Sequence, residues 1–186
     1  MGVAPDRILM EGLSRGMNEI SDRFDRGDLY LPQVMAASKV MDDVMAVLSP
    51  HLDGDGVSRY KGTVVMGSVE GDIHEIGKNI CIAMLRGARF RVIDLGSDVS
   101  PEEFIEAARE NSADFIGGSA LMTTTLEAQR KLVQALRENG CVAVTLFGGA
   151  PCSQSWVDEI GGDAYSASGH EMVLLVNRMV ENRPND

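Results

Sequence analysis

The 186-residue sequence contains only three cysteines, and none of them belongs to a Cys-x-x-Cys pair. Scattered thiols at Cys81, Cys141 and Cys152 exclude a disulfide scaffold and are typical of a reduced, cytoplasmic protein. Cys81 and Cys141 lie within apolar stretches, so we expect both to be small core residues.

Positive charge and long apolar runs are also scarce. The 17 lysines and arginines are outnumbered by 28 acidic residues, which gives a net charge of -11. This balance argues against nucleic acid or an anionic membrane surface as a partner. No run of 18 apolar residues and no signal-peptide pattern is present, so we expect a cytoplasmic protein with no membrane association.

Two helices are predicted in the N-terminal part: an amphipathic helix from Pro5 to about Arg26, and a helix with apolar residues on more than one side from about Pro32 to Leu48. A pair of such helices must bury its apolar faces against further helices, a partner chain or the next domain. The polar stretch that follows predicts a linker. The predicted organisation is a small all-α helical cap at 1–50, a linker at 51–61 and a second domain at 62–186.

Strands and helices alternate in the second domain. Short apolar runs predict strands at 63–69, 91–95, 114–119, 142–147 and 163–166. Amphipathic segments predict helices at 77–88, 101–111, 126–139, 153–160 and 170–182. This alternation predicts an α/β domain with a five-stranded parallel sheet covered on both faces, in the flavodoxin-like (Rossmann-like) class. With strand order 2-1-3-4-5, its switch point lies between the first and third strands.

The segment GDIHEIGKNI connects the first predicted strand to the first predicted helix of this domain and holds Asp72, His74 and Gly77. A histidine with a carboxylate two residues away is typical of a metal ligand, because the carboxylate can accept a hydrogen bond from the ring nitrogen that does not bind the metal. Taken alone, Asp-x-His-x-x-Gly is a weak signal, since a turn with a solvated histidine gives the same pattern. Lys78 and Asn79 follow it, and exposure to solvent explains both as well as a contact near the site does.

Two further motifs follow at fixed distances. Ser119 and Leu121 form Ser-x-Leu after 41 intervening residues (78 to 118), and Gly148-Gly149 follows after 26 more (122 to 147). Because the three motifs follow the first, third and fourth strands, they are expected to meet at one edge of the sheet. Together they resemble the motifs of the cobalamin-binding domains in the corrinoid proteins of methylamine, methanol and betaine methyltransferase systems, and in methionine synthase.

The resemblance implies cobalamin as the cofactor, in its methylcobalamin and cob(I)alamin forms. His74 would be the lower ligand of cobalt, with the nucleotide base displaced (base-off, His-on). Its other ring nitrogen would donate to Asp72, and Asp72 would accept a hydrogen bond from the Ser119 hydroxyl. Asp72 and Ser119 would thereby form a relay that takes up a proton.

The resemblance also assigns residues to the nucleotide tail of the cofactor. Glycine would leave space for this tail at Gly77, Gly148 and Gly149. The tail pocket would also be lined by Leu121, Thr123 and Thr125.

The predicted helical cap has its own counterpart in the family. Phe24 and Leu31 match the positions at which the cap of methionine synthase covers the upper face of the corrin. Two core residues of a helical bundle would give the same pattern.

By resemblance, the protein is a methyl carrier that is not catalytic alone. It would shuttle a methyl group on cobalt between a substrate-specific methyltransferase and an acceptor methyltransferase acting on tetrahydrofolate or a thiol. A reductive activase and a homo-oligomer are further expected associations. The segment 121–129 is most similar to carriers of methylamine and quaternary-amine systems.

Three alternatives remain. A cobalamin-dependent sensor would need an output element, and the sequence offers no DNA-binding segment. The small subunit of an adenosylcobalamin mutase shares the three motifs, but a helical cap argues against it. A flavin carrier would need a phosphate loop where this chain has Glu70 and Asp72, two carboxylates that repel phosphate.

Overall fold

A computed structural model describes residues 5–52 and 60–182. The N-terminal part consists of α1 (Pro5–Arg7), a π-helical stretch (Ile8–Ser14), α2 (Arg15–Asp25) and α3 (Leu31–Leu52). The predicted pair of helices is therefore present, and a turn with Gly27 at φ +79° separates them. Helix α3 continues two residues into the predicted linker, whose residues 53–59 lie outside the described residues.

The second part alternates strands and helices as predicted. Its elements are β1 (Thr63–Ser68), α4 (Ile76–Gly87), β2 (Arg91–Asp94), α5 (Pro101–Glu110), β3 (Phe115–Ser119), α6 (Leu126–Glu138), β4 (Val144–Gly148), α7 (Gln154–Ile160), β5 (Ala164–Tyr165) and α8 (Gly169–Glu181). All strand pairs are parallel, in the order β2-β1-β3-β4-β5. The predicted strand order is confirmed, and the largest displacement of an element end is two residues, at the start of β4 (142 predicted, 144 observed).

The two faces of the sheet bury different side chains of the same strands. Val65 contributes to a cluster with residues of α5, α6 and α7, whereas its neighbours Val64 and Met66 contribute to a cluster with residues of α4 and α8. This division follows from the two-residue repeat of a strand, which sends successive side chains to opposite faces. Both faces are covered by helices, as a parallel sheet requires.

The N-terminal helices pack against α4 of the second part. A Cβ atom on Gly87 would lie 2.8 Å from the Cβ atom of Met17, so the close approach of α2 to α4 depends on the missing side chain. Met17, Met41 and Met45 form most of a small separate core with Leu48. Within the described residues, no helix combines the length and the apolar character needed to cross a membrane.

Candidate functional site

The histidine loop leaves β1 at the carboxyl edge of the sheet and is held there by hydrogen bonds from backbone and side-chain groups. The Gly71 N–H donates to Asp98 Oδ1 at 2.7 Å, and the Asp98 N–H donates to the carbonyl oxygen of Asp72 at 2.9 Å. The Ser68 hydroxyl donates to the carbonyl oxygen of His74 at 2.7 Å. Gly71 has a φ of +80°, a left-handed conformation that glycine adopts without strain. The loop therefore has a defined path before α4 begins.

Asp72 and His74 form the predicted pair. Asp72 Oδ1 lies 2.9 Å from His74 Nδ1 and 3.0 Å from the His74 backbone nitrogen. Asp72 is 1% exposed, whereas the His74 side chain is 45% exposed. An ionised carboxylate can only accept hydrogen bonds, so Nδ1 carries the proton and Nε2 keeps a free lone pair. The pair presents one nitrogen ligand toward solvent.

The second oxygen of Asp72 is held from the other side. Asp72 Oδ2 accepts from the Leu121 backbone N–H at 2.6 Å and from the Thr125 hydroxyl at 2.7 Å. Burial by itself raises the pKa of Asp72, but the hydrogen bonds from Thr125, His74 and Leu121 outweigh it and lower the pKa to about 2. The carboxylate is therefore charged at neutral pH, and it retains Nδ1–H on the imidazole.

The predicted hydrogen bond from Ser119 to Asp72 is wrong for this structure. Ser119 ends β3 and lines a cavity instead. The short turn after β3 returns the chain toward the histidine loop, which brings Thr125 rather than Ser119 to the carboxylate. The geometry of this turn is not predictable from the sequence, which placed Thr125 in the tail pocket instead.

A cavity of about 950 Å³ adjoins His74. It lies between α4 and α8, over the carboxyl ends of β1, β3, β4 and β5. This volume lies within the range of pockets that take cofactors and drug-sized ligands, and the position is the edge of the sheet where such folds bind ligands. Its lining includes five of the predicted positions besides His74 and Ser119: Phe24, Gly77, Leu121, Gly148 and Gly149.

The three glycines of the motifs have different structural roles. A Cβ atom on Gly77 would meet no protein atom within 4 Å, so packing does not require glycine there. A Cβ atom on Gly148 would lie 2.8 Å from the carbonyl oxygen of Ser166, and one on Gly149 would overlap the carbonyl oxygen of Ala120. Gly149 also has a φ of +122°. Gly77 thus leaves space beside the cavity, whereas Gly148 and Gly149 permit close backbone approach at its wall.

Two of the residues predicted for the tail pocket lie outside the lining of this cavity. Thr123 and Thr125 are not among the residues that line the cavity: Thr123 is exposed, and Thr125 is buried behind Asp72. Both belong to the turn between β3 and α6. In the predicted cap, Phe24 lines the cavity and Leu31 does not.

Lys78 is buried, so exposure to solvent, one of the two explanations that the sequence left open, does not account for it. The residue is 1% exposed, and its Nζ atom lies 2.6 Å from Asp94 Oδ1 and 3.0 Å from Asn79 Oδ1. Asp94 ends β2, so the ion pair ties the first turn of α4 to the neighbouring strand. The ammonium group is satisfied within the wall of the cavity, which fixes the start of the helix that follows His74.

The cavity-lining residues at the end of β5 and directly after it were not predicted from the sequence. Tyr165, Ser166, Ser168 and Gly169 border the cavity where α8 begins. The Ser166 hydroxyl donates to the carbonyl oxygen of Ser168, and the Ser168 hydroxyl caps α8 by accepting from the Glu171 N–H. The available signal was positional, because the fifth strand ends at the same edge as the other motifs.

Cys81 also lines the cavity, on the second turn of α4. Burial raises the pKa of its thiol to about 11, so the group is neutral at physiological pH. Cys81 therefore adds a small apolar surface to the wall, in keeping with the expectation of a packing role.

The geometry fits cobalamin. A single imidazole nitrogen is the ligand contribution suited to a cobalt ion that brings its corrin ring with it, and the carboxylate behind that imidazole fixes its tautomer. The adjacent cavity can receive a displaced nucleotide tail. Gly77 supports this assignment independently, since the protein itself does not use the space that its missing side chain leaves.

Comparison with known protein families gives two matches. A family model described as a B12 binding domain matches residues 62–174, and a second model with the same description matches residues 1–49. The first match covers more than half of the chain and contains all three motifs.

Individual proteins give the same result. Dimethylamine corrinoid protein 3 of Methanosarcina acetivorans is 45% identical over 180 residues, covering 96% of this chain and 84% of the relative. The methanol:cobalamin methyltransferase complex of Methanosarcina barkeri superposes with a TM-score of 0.86 at 30% identity, covering 99% of this chain and 70% of the matched chain. The monomethylamine corrinoid protein of the same organism gives a TM-score of 0.61 at 36% identity, covering 96% and 85%.

Proposed function

The chain belongs to the family of B12 binding domains, and from this membership we propose that it is a corrinoid protein of a methylamine methyltransferase system. Relatives at 40 to 46% identity are named dimethylamine and trimethylamine corrinoid proteins. Bound cobalamin would supply a cobalt centre that accepts a methyl group and gives it up again. The protein's own residues bind the cofactor, orient it and limit its contact with water.

The observation that carries the proposal is the state of the His74 ring. Its Nδ1 faces the buried Asp72 carboxylate at 2.9 Å, while the half-exposed ring lies at the wall of the cavity. Asp72 keeps the proton on Nδ1, so Nε2 is the nitrogen available to cobalt. We assign His74 as the lower ligand in a base-off, His-on arrangement.

The cavity beside His74 gives the displaced nucleotide tail a place to lie. Its lining includes the apolar side chains of Met66 and Leu146 from the sheet and of Met84 from α4. Gly77 leaves a part of the cavity wall free of a side chain. Phe24 of α2 borders the same cavity, so the N-terminal helices belong to the site and are proposed to act as a cap.

We assign two classes of partner. A methylamine-specific methyltransferase would supply the methyl group, with dimethylamine favoured as the donor because the relative named for dimethylamine is 45% identical. A second methyltransferase would pass the group to tetrahydrofolate or a thiol. A reductive activase would restore cobalt that has been oxidised.

Cofactor binding can be tested on the purified protein. We expect the apoprotein to retain hydroxocobalamin through gel filtration and to show a base-off, His-on visible spectrum. The His74→Ala variant is expected to lose this spectrum and to bind roughly 10-fold or more weakly, because the nitrogen ligand is gone. His170→Ala, which changes a histidine on α8 that does not line the cavity, serves as the control.

The carrier role needs a second measurement. The reconstituted protein, reduced in the presence of a dimethylamine methyltransferase and dimethylamine, is expected to gain one methyl group per cobalt. Retention of cobalamin without methylation by any methylamine methyltransferase would contradict the carrier role. A folded wild-type protein that retains no cobalamin would contradict the proposal as a whole.

A further inference from the structure

The segment between β2 and α5, residues 95–100, lies along the histidine loop. The Ser68 N–H donates to the carbonyl oxygen of Gly96 at 3.0 Å, and the Val99 N–H donates to the carbonyl oxygen of Ser68 at 3.0 Å. Val69 and Val99 form a parallel bridge directly after β1. The segment therefore continues the pairing with β1 past the end of β2, at the carboxyl edge of the sheet.

Asp98 connects this segment to the histidine loop through two of its groups. Its side chain accepts a hydrogen bond from the Gly71 N–H at 2.7 Å, and its own N–H donates to the carbonyl oxygen of Asp72 at 2.9 Å. A single residue therefore binds the backbone of two successive loop residues, which lie three and two positions before His74.

The backbone of Asp98 is in the left-handed region, with a φ of +56°. An L-residue adopts this conformation at a cost in energy, and aspartate and asparagine tolerate it better than most residues do. Asp98 is exposed, so packing does not explain the conformation. The two hydrogen bonds explain it, because in this conformation the N–H and the side chain of one residue both reach the histidine loop.

Asp72 transmits the restraint to the ligand site. Its carbonyl oxygen is bonded to Asp98, and its Oδ1 accepts from the His74 backbone N–H at 3.0 Å and lies 2.9 Å from His74 Nδ1. Because a displaced Asp72 backbone carries its carboxylate with it, the imidazole follows the same displacement. Hydrogen-bond partners outside the ligand itself determine how well a metal ligand is oriented.

We propose that Asp98 is a positioning residue, whose hydrogen bonds to Gly71 and Asp72 fix the backbone of the histidine loop and thereby the orientation of His74 toward the cavity. The group responsible is the acceptor oxygen of the side chain and not its negative charge, because the donor is a neutral backbone N–H. The effect on the cofactor rests on the proposed function, whereas the restraint on the loop is a property of the apoprotein.

The test separates the acceptor oxygen from the charge and from the backbone conformation. Asp98→Gly removes the acceptor and relieves the left-handed φ, whereas Asp98→Asn keeps an acceptor oxygen and tolerates the same φ. Ser112→Gly is the matched control, because Ser112 is exposed and has a φ of +48° but lies between α5 and β3, at the opposite edge of the sheet.

Three readouts are compared. Amide hydrogen exchange of the apoprotein is followed at His74, whose N–H is not bonded to Asp98, and at Ile116, which is fully buried in β3. The equilibrium affinity for hydroxocobalamin is the second readout, and the fraction of the His-on visible spectrum at a fixed pH is the third.

Asp98→Gly is expected to speed exchange of the His74 N–H roughly 3- to 10-fold, the usual effect of losing one hydrogen bond. Exchange at Ile116 should change no more than it does in Ser112→Gly, which carries the same entropic cost of glycine. Hydroxocobalamin should bind more weakly by a similar factor to Asp98→Gly, with a smaller His-on fraction. Asp98→Asn should match the wild-type protein in each measurement.

Wild-type exchange at His74 in Asp98→Gly, or an equal acceleration at His74 and Ile116, would overturn the proposal. An Asp98→Asn protein that behaves like Asp98→Gly would overturn it too, as would faster exchange at His74 with unchanged cobalamin affinity. If the wild-type protein retains no cobalamin, the proposed function fails, and the exchange measurements on the apoprotein still decide whether Asp98 holds the loop.

Discussion

The two faces of the sheet end differently at the carboxyl edge. On the side of α5, α6 and α7, packing continues to the edge, where Gln129 is fully buried. Its amide donates to the carbonyl oxygens of Gly118 and Gly148 at 3.0 and 3.1 Å and accepts from the Trp156 indole at 2.9 Å. On the side of α4 and α8, the same strands end at a cavity. One face is closed by side chains, and the other is left open.

The difference indicates that one face of the sheet mainly provides stability and the other provides the binding site. The closed face holds the larger of the two hydrophobic clusters of the second part, and burial of apolar surface is the dominant favourable contribution to folding. The open face gives up packing at the edge, and its polar groups are held by hydrogen bonds around Asp72 and Lys78. Changes on the closed face should therefore affect stability, and changes on the open face should affect binding.

The largest expected effect is on the closed face. Phe104 of α5 is 1% exposed and packs over β1, where a Cβ atom on Gly67 would lie 2.7 Å from its ring. Phe104→Ala should lower the free energy of unfolding by about 3–5 kcal/mol, measured by urea denaturation of the apoprotein. The cobalamin affinity of the folded variant should stay near the wild-type value. A clear loss of affinity in the folded protein would break the separation of the two faces.

Gly149 should affect both properties, because it belongs to the edge that the two faces share. Its φ of +122° and the overlap of a Cβ atom with the Ala120 carbonyl oxygen oppose any side chain. Gly149→Ala is expected to cost about 1–3 kcal/mol of stability from backbone strain and to weaken cobalamin binding. Gly140→Ala is the control, because Gly140 also has a left-handed φ (+66°) but an added Cβ atom there meets no protein atom within 4 Å and the residue does not line the cavity. Wild-type stability of Gly149→Ala would contradict the packing described for this wall.

Asp72 should make the open face sensitive to acid. Its folded-state pKa of about 2 is below the ordinary value of 3.8, so its stabilising contribution is complete above pH 4 and is lost as the pH falls toward 2. Asp72→Asn is expected to reduce the dependence of the unfolding free energy on pH in this window. Chemical denaturation of both apoproteins between pH 5 and pH 2 gives the comparison. Equal slopes would show that the hydrogen bonds of Asp72 do not stabilise its charge.

The smallest change in stability is expected at Gly77. Alanine there meets no protein atom within 4 Å, and in the first turn of α4 it should leave stability unchanged or raise it by up to about 1 kcal/mol. Cobalamin affinity should nevertheless fall, because the methyl group occupies space beside the cavity. Thermal unfolding of the apoprotein and equilibrium binding separate the two effects. Unchanged affinity would remove Gly77 from the site.

Local patterns accounted for most of the fold. Pro101, which lies between the capping residues Ser100 and Glu103, starts α5 at the predicted residue, and short apolar runs located each strand of the sheet. The pairing of Asp72 with His74 was also predictable, because two residues on one loop are close in space whatever the rest of the chain does.

Contacts between distant segments were not predictable in the same way. Thr125 reaches Asp72 across 53 residues, and Lys78 reaches Asp94 from a helix to a neighbouring strand. The motif predicted a hydrogen bond from Ser119 to Asp72, but the turn after β3 determines which hydroxyl reaches the carboxylate. The cavity lining after β5 was not predicted because Ser166 and Ser168 belong to none of the three motifs.

The sequence by itself determined the elements, the strand order, the loop that presents His74 and the family to which the chain belongs, since these follow from short-range periodicity and from motif spacing. Only the tertiary structure decided which hydroxyl holds Asp72, which glycine leaves free space, and that Lys78 is buried in an ion pair. The physical reason is that hydrogen bonds and close packing between distant segments depend on ångström-level placement, and residue order along the chain does not specify that placement.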